Sequence, residues 1–215
     1  MMNRTSLLAL VLSLSTGLAW AQKPLEAPGG QYADEAERMF RDSFRSDAPK
    51  EWLLRLMQDD TMRACHQYRD NPPSKVRQAL EKANRATIRY PENGKLLGNW
   101  KEGEKLAAVG TGGHIGFIQP DPPGRLKGGN CYACHQLAKK EIAYGTIGPN
   151  LQHYGKLRGN GPDIVKYTYD KVYNSNTFNA CTNMPRFGLH GWLTPEQIAD
   201  VVAFLIDPES PVNKD

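Results

Sequence analysis

Apolar positions along this chain recur at helical spacing, and none alternate over the length of a strand, so the pattern predicts a mainly α protein. Two helical stretches are expected at about 33–46 and 50–66. In the second, Trp52, Leu53, Leu56 and Met57 form one apolar face. Pro72 and Pro73 stop it, because neither can donate the hydrogen bond a helix interior needs. Ser74 can cap a third helix over about 75–90, with Val76, Leu80, Ala83 and Ile88 facing inward. Pro91, Glu92, Asn93 and Gly94 break the chain again. A further helix is expected over 99–108, then a loop over 110–130 dense in glycine and proline. Another helix should begin near Asn130, an ordered loop should cover 146–151, and residues 163–174 should be helical, with Ile164, Val165, Tyr167 and Val172 as core contacts. The last helix has the clearest start. Thr194 is a good N-cap, Pro195 suits the first helical position and Gln197 completes a capping box. Ile198, Val201, Val202 and Leu205 form its buried stripe, and Pro208 ends it.

The first residues have a different character. Arg4 precedes an apolar run from Leu7 to Leu18, and Ala19-Trp20-Ala21 fits a small-x-small cleavage site. Residues 1–21 therefore read as a signal peptide cleaved after Ala21, which places the protein in the periplasm and permits disulfides. The rest divides into an N-terminal helical extension, 22–94, and a C-terminal domain, 95–215. Mean hydropathy is −0.58 and no later run approaches the ~18 apolar residues of a membrane span, so no integral membrane segment is expected after cleavage. A net charge of +4 is too weak a bias to argue for nucleic acid.

One motif carries chemistry. Cys131-Tyr132-Ala133-Cys134-His135 has the C-x-x-C-H spacing of c-type haem attachment. Two thiols three positions apart on an opening helical turn can add to the two haem vinyl groups, and the adjacent His135 then faces the iron. A thioredoxin-like pair would want a βαβ setting, and a structural zinc site a second close Cys/His pair; neither is present in the pattern. For the other axial position, Met184 is the one methionine after the motif, 49 residues beyond His135 in a polar loop. A thioether ligand favours ferrous iron and raises the potential. His114, His153 and His190 are the competing ligands.

With the motif helix, Gly148-Pro149-Asn150-Leu151, a methionine loop and a closing amphipathic helix in that order, residues from about 95 to 215 resemble class I cytochromes c. The closer resemblance is to the SoxX family, the small subunits of the sulfur-oxidising SoxAX complex. It lies in Gly98-Asn99-Trp100-Lys101 with Gly103-Glu104-Lys105, in the stretch from Gly128 through the haem motif to Leu137, and in Cys181-Thr182-Asn183-Met184-Pro185-Arg186-Phe187-Gly188. Two features depart from ordinary class I cytochromes: Ala107 stands where an aromatic usually follows the first-helix glycine, and residues 110–129 form a large insertion. The resemblance implies one covalently bound haem c, and it implies that the Pro149 carbonyl orients the His135 ring. It further implies a heterodimer with a SoxA-type cytochrome subunit, a SoxY-type carrier protein as the substrate of the complex, and a downstream cytochrome c as electron acceptor.

Cys65 and Cys181 are left over, and in an exported protein a disulfide between them is the default. A free Cys181 acting as a sulfur-binding thiol or an iron ligand is the alternative. Iron closed by His135 and Met184 can only pass electrons. The expected function is thus the electron-relay, non-catalytic subunit of an L-cysteine S-thiosulfotransferase, or alternatively a free-standing periplasmic electron carrier. Arg186 and Trp192 are candidate contacts for the haem propionates.

Overall fold

The structure is a computed structural model that describes residues 31–43, 57–112 and 121–215. Seven α-helices are found among these residues: α1 (Gln31–Ser43), α2 (Asp60–Gln67), α3 (Ser74–Arg85), α4 (Trp100–Ala108), α5 (Tyr154–Arg158), α6 (Pro162–Tyr173) and α7 (Pro195–Ile206). Single 3₁₀ turns lie at Cys131–Ala133, Ser175–Thr177 and Pro211–Asn213. No strand occurs among the described residues, so the mainly α expectation holds.

The core is built on α7. Its N-terminus is as the sequence predicts, with the Thr194 side chain accepting from Gln197 N and the Gln197 side chain accepting from Thr194 N. All four residues of its expected stripe are buried, and so are Ala199, Ala203, Phe204 and Ile206. A helix so enclosed needs neighbours on several sides; α4, α5, α6 and the Pro211–Asn213 turn supply them. The α4–α7 crossing is the tightest. Gly98 N donates to Ala199 O (3.0 Å) and Asn99 N donates to Asp200 Oδ1 (2.7 Å). A Cβ on Gly103 would stand 2.0 Å from Asp200 O and 2.9 Å from Phe204 Cβ. Ala107, four residues on, is 1% exposed. The departure at Ala107 therefore leaves the helix contact intact: Gly103, Leu106 and Ala107 are buried on the α4 side and Phe204 is fully buried on the α7 side.

Several expected elements are shorter than their periodicity implied. Residues 44–56, with Trp52, Leu53 and Leu56, lie outside the described residues, but 57–59 are not helical. Asp59 caps α2 instead, its carboxylate accepting from Met62 N at 2.9 Å. Helix α3 stops at Arg85 rather than Tyr90, and Ala83 is exposed while Asn84 is buried. The helix expected near Asn130 is one 3₁₀ turn. Helix α5 had no counterpart in the pattern, since a five-residue helix is too short to display a period.

The N-terminal region is fastened to the segment 174–186 and, through Ile88, Arg89 and Tyr90, to α6: Tyr169 Oη donates to Arg89 O (2.8 Å) and Tyr90 Oη donates to Asp170 Oδ1 (3.0 Å). Helix α3 packs on the Ser175–Thr177 turn. Asn174 Nδ2 donates to Asn84 Oδ1 (3.0 Å) and Thr87 Oγ1 (3.0 Å), and Arg85 donates to Thr177 O (2.9 Å). Arg186, 8% exposed, pairs with Asp59 at 2.5 Å. Cys65 and Cys181 form a disulfide with Cα atoms 5.5 Å apart.

The close α4–α7 contact predicts that Gly103→Ala forces the two helices apart. The expected loss is about 1–3 kcal/mol, the usual cost of overpacking a tight site. A urea unfolding titration measures it, and a midpoint equal to wild type would mean that the crossing is looser than described.

Candidate functional site

The C-x-x-C-H turn is placed by the backbone that precedes it. Gly128 N donates to Thr111 O (3.2 Å), Gly129 N to Leu106 O (2.7 Å) and Asn130 N to Val109 O (3.0 Å), which lays this stretch along the end of α4. A Cβ on Gly128 would lie 1.8 Å from Val109 O, so no larger residue fits there. Trp192 Nε1 donates to Gly128 O at 2.7 Å and ties the same point to the chain before α7. Asn130 takes the left-handed conformation (φ 45°), turning the chain into the 3₁₀ turn. Cys134 N (3.1 Å) and His135 N (2.9 Å) then both donate to Cys131 O.

A second segment is stitched to this turn. Gly145 N donates to Tyr132 O, Gly148 N to Cys134 O and Leu151 N to Gln136 O, each at 2.8 Å. The outcome is a 2.8 Å contact between His135 Nδ1 and Pro149 O. A carbonyl oxygen can only accept, so Nδ1 carries the proton and Nε2 keeps its lone pair for another partner. A Cβ on Gly148 would be 2.2 Å from His135 Cε1. Glycine there is what lets the loop lie against the ring.

Cys131, Cys134 and His135 line a cavity of about 720 Å³, and Met184 lines it too. Ile147, Leu151, Val172, Phe187 and Leu205 make much of the remaining wall apolar. Cys131 and Cys134 are not bonded to each other. Burial pushes the Cys131 thiol up to about 12. Met184 is held by its backbone: Ser175 Oγ donates to Met184 O at 2.5 Å, and Met184 N donates to Thr182 Oγ1 at 3.3 Å.

Of the competing histidines, His153 and His190 are not brought to this cavity. The His153 ring faces the carboxylate of Asp215, with 3.6 Å from Nε2, and His190 lines a different cavity. His114 lies outside the described residues. The two residues expected near propionates are also elsewhere: Arg186 is paired with Asp59, and Trp192 with Gly128 O. The cations that line the cavity are Arg158 and Lys171. Burial lowers the pKa of Lys171, whose ammonium donates to Ser175 O at 3.3 Å. The Ser175 and Gly148 contacts, with these two cations, went unseen in the sequence. The polar run Asn174-Ser175-Asn176-Thr177 directly after an amphipathic helix was the available signal for the first, since such residues bond nearby backbone.

Residues 125–207 match the family described as Cytochrome c. The chain carries a cytochrome c domain. An "Uncharacterized lipoprotein" of Aquifex aeolicus (strain VF5) is 38% identical over 205 residues, 94% of this chain and 96% of its own, and the two belong to one family. The fold is that of a class I cytochrome c. Such a domain implies covalently bound haem c and haem-based electron transfer. The residues present fit that group: two unbonded thiols, an imidazole with one nitrogen tied back, a thioether and a largely apolar wall meet in one cavity.

The Cys65–Cys181 bond closes a loop with a sequence separation of 116. Its removal in Cys65→Ser/Cys181→Ser is expected to cost up to about 5 kcal/mol by the chain-entropy relation. Guanidinium unfolding of the two proteins gives the difference. Peptide mapping without reductant should recover the two cysteines as one linked pair; two free thiols would contradict the bond.

Proposed function

We propose that Cys131 and Cys134 attach a single haem c, that His135 and Met184 are its two axial iron ligands, and that the protein is the electron-relay subunit of a SoxAX-type thiosulfotransferase. The carrying observation is that these four side chains, from segments 49 residues apart, line one mostly apolar cavity. Haem c bound there supplies a one-electron couple at its iron. The chain's own residues do the rest. Pro149 O holds the His135 ring through Nδ1, which sharpens the basicity of Nε2. Met184 closes the remaining position, and a closed site excludes substrate and dioxygen. Arg158 and Lys171 would meet the propionate charges.

The finer reading rests on the SoxX resemblance and on stoichiometry. Joining thiosulfate to a carrier cysteine forms an S–S bond and releases one proton and two electrons. A one-electron centre must therefore work with a second redox centre or discharge twice. In the reading proposed, a SoxA-type subunit carries out the conjugation on a SoxY-type carrier, and this chain passes the electrons to a downstream cytochrome c. The apolar Ile147 and Leu157, 79% and 78% exposed at the cavity wall, suit a face that meets such a partner. Periplasmic location is supported by residues 1–21 and by the name of the lipoprotein relative, whose anchor implies export. No helix among the described residues is long and apolar enough to cross a membrane.

In the mature protein matured with haem, we expect a far-red methionine–iron band in the ferric spectrum and one haem per polypeptide. Met184→Ala should lose that band, lower the reduction potential and bind added imidazole. An unchanged spectrum would remove Met184 as ligand. Co-purification with a second c-type haem protein is expected from the native source; a lone monomer with full thiosulfate-linked turnover would overturn the subunit role.

A further inference from the structure

A second cavity, of about 900 Å³, lies on the other side of the Met184 segment. Residues Cys181 to Pro185 line both cavities, so a single stretch of chain divides them. The second cavity is lined by both halves of the Cys65–Cys181 disulfide, together with Arg69, Asp70, Arg186 and His190. Cys65 is buried, at 8% exposure, while Cys181 is part-exposed. The bond is thus open to a small molecule from one side, chiefly at Cys181. An Asp70 carboxylate oxygen and the two sulfurs all lie within 4.8 Å of one another. Arg69 and Asp70 both sit at positive φ, 49° and 60°, and Asp70 N donates to Cys65 O at 2.8 Å. Two successive non-glycine residues in that region are a local strain, held here at the mouth of the bond.

We propose that this cavity is a thiol–disulfide exchange site for a low-molecular-weight thiol. The inference rests on the reading of Met184 as an iron ligand only for its consequence, and not for the chemistry. A thiolate attacks Cys181 Sγ; the new S–S bond forms as the Cys65–Cys181 bond breaks, and Cys65 leaves as a thiolate that takes up a proton. A second thiol attacks the mixed disulfide at its non-protein sulfur. It departs as the oxidised dimer and leaves Cys181 as a thiol. Two thiols are oxidised by two electrons in all, and the protein disulfide is reduced to two thiols, so no other oxidant or reductant enters. The Asp70 carboxylate, beside both sulfurs, repels an incoming anion, whereas Arg69 attracts it and Arg186 is already paired with Asp59.

The consequence is local. Cys181 lies three residues before Met184. Opening the bond removes the covalent tie of that segment and leaves Arg186–Asp59 and the Ser175 and Arg85 hydrogen bonds to hold it. A larger share of molecules then has Met184 off the iron.

The test uses the full mature haem-loaded protein, kept ferrous with ascorbate throughout, and reduced glutathione as probe. Native incubation followed by alkylation and peptide mass analysis should find glutathione on Cys181 and a blocked thiol at Cys65. Asp70→Asn, which tolerates the same backbone conformation, should form the adduct several-fold faster. Carbon monoxide binding to the ferrous iron should speed up by about tenfold after exchange, in proportion to the open population. Untreated Cys65→Ser/Cys181→Ser should match the treated protein and ignore glutathione. Cysteines that react only after denaturant is added would overturn the site. An adduct with an unchanged carbon monoxide rate would overturn its consequence. Equal carbon monoxide rates in wild type and Met184→Ala would fault the ligand assignment, while the mass analysis would still decide the exchange.

Discussion

If Met184 is the iron ligand proposed above, irregular backbone has to hold its thioether in one place, and the described extension is placed to meet that demand. Residues 174–186 contain one 3₁₀ turn and little else that is regular. Such a stretch cannot rely on a helical hydrogen-bond ladder for stiffness. It is fixed from outside by four kinds of contact: the disulfide to Cys65, the half-buried ion pair of Arg186 with Asp59, the Asn84–Asn174 amide pair and the Arg85 bond to Thr177 O. All four come from residues 59–85. A minimal cytochrome c domain lacks these residues, so here the extension acts as a brace for the segment that carries Met184.

The His135 side of the cavity is solved differently. There the stiffness is internal, because the 145–151 loop is bonded to the motif turn at three backbone positions. Glycines at 128 and 148 permit approaches that any side chain would block. A ring fastened by a backbone carbonyl needs no conserved partner side chain, only the correct path of the main chain. The two faces of the proposed haem site therefore differ in kind. One is held by short-range backbone bonding within about 20 residues, as the spacing between Leu151 and Cys131 shows. The other is held by long-range links from the opposite end of the chain.

That difference explains what could be read from the sequence. The C-x-x-C-H spacing and the α7 capping box are local signals, and each has its structural counterpart, as does the Pro149 contact that the family resemblance implied. The Cys65–Cys181 pairing was also reachable, since these were the two cysteines left over. Helix ends in the extension were not: α3 was extended to Tyr90 because Ile88 continues the apolar spacing. Ile88 is indeed buried, but in a non-helical turn. Nearness to Met184 in sequence suggests that Arg186 turns toward the haem. Arg186 instead lines the second cavity and pairs with Asp59. Proximity in sequence does not tell which side of a dividing segment a side chain will take.

The dividing segment itself couples the two cavities. A stretch only one chain thick cannot shift on one side without moving the wall of the other, because protein interiors are close-packed. The chemistry proposed at Cys181 and the ligation proposed at Met184 would thus load one structure, three residues apart. The disulfide contributes to that structure mainly by restricting the unfolded chain, up to about 5 kcal/mol for a loop this long. The hydrogen bonds that remain contribute only about 1 kcal/mol each. In the reading proposed above, opening the covalent tie leaves the segment to these weaker contacts, and the Met184 thioether is held less firmly.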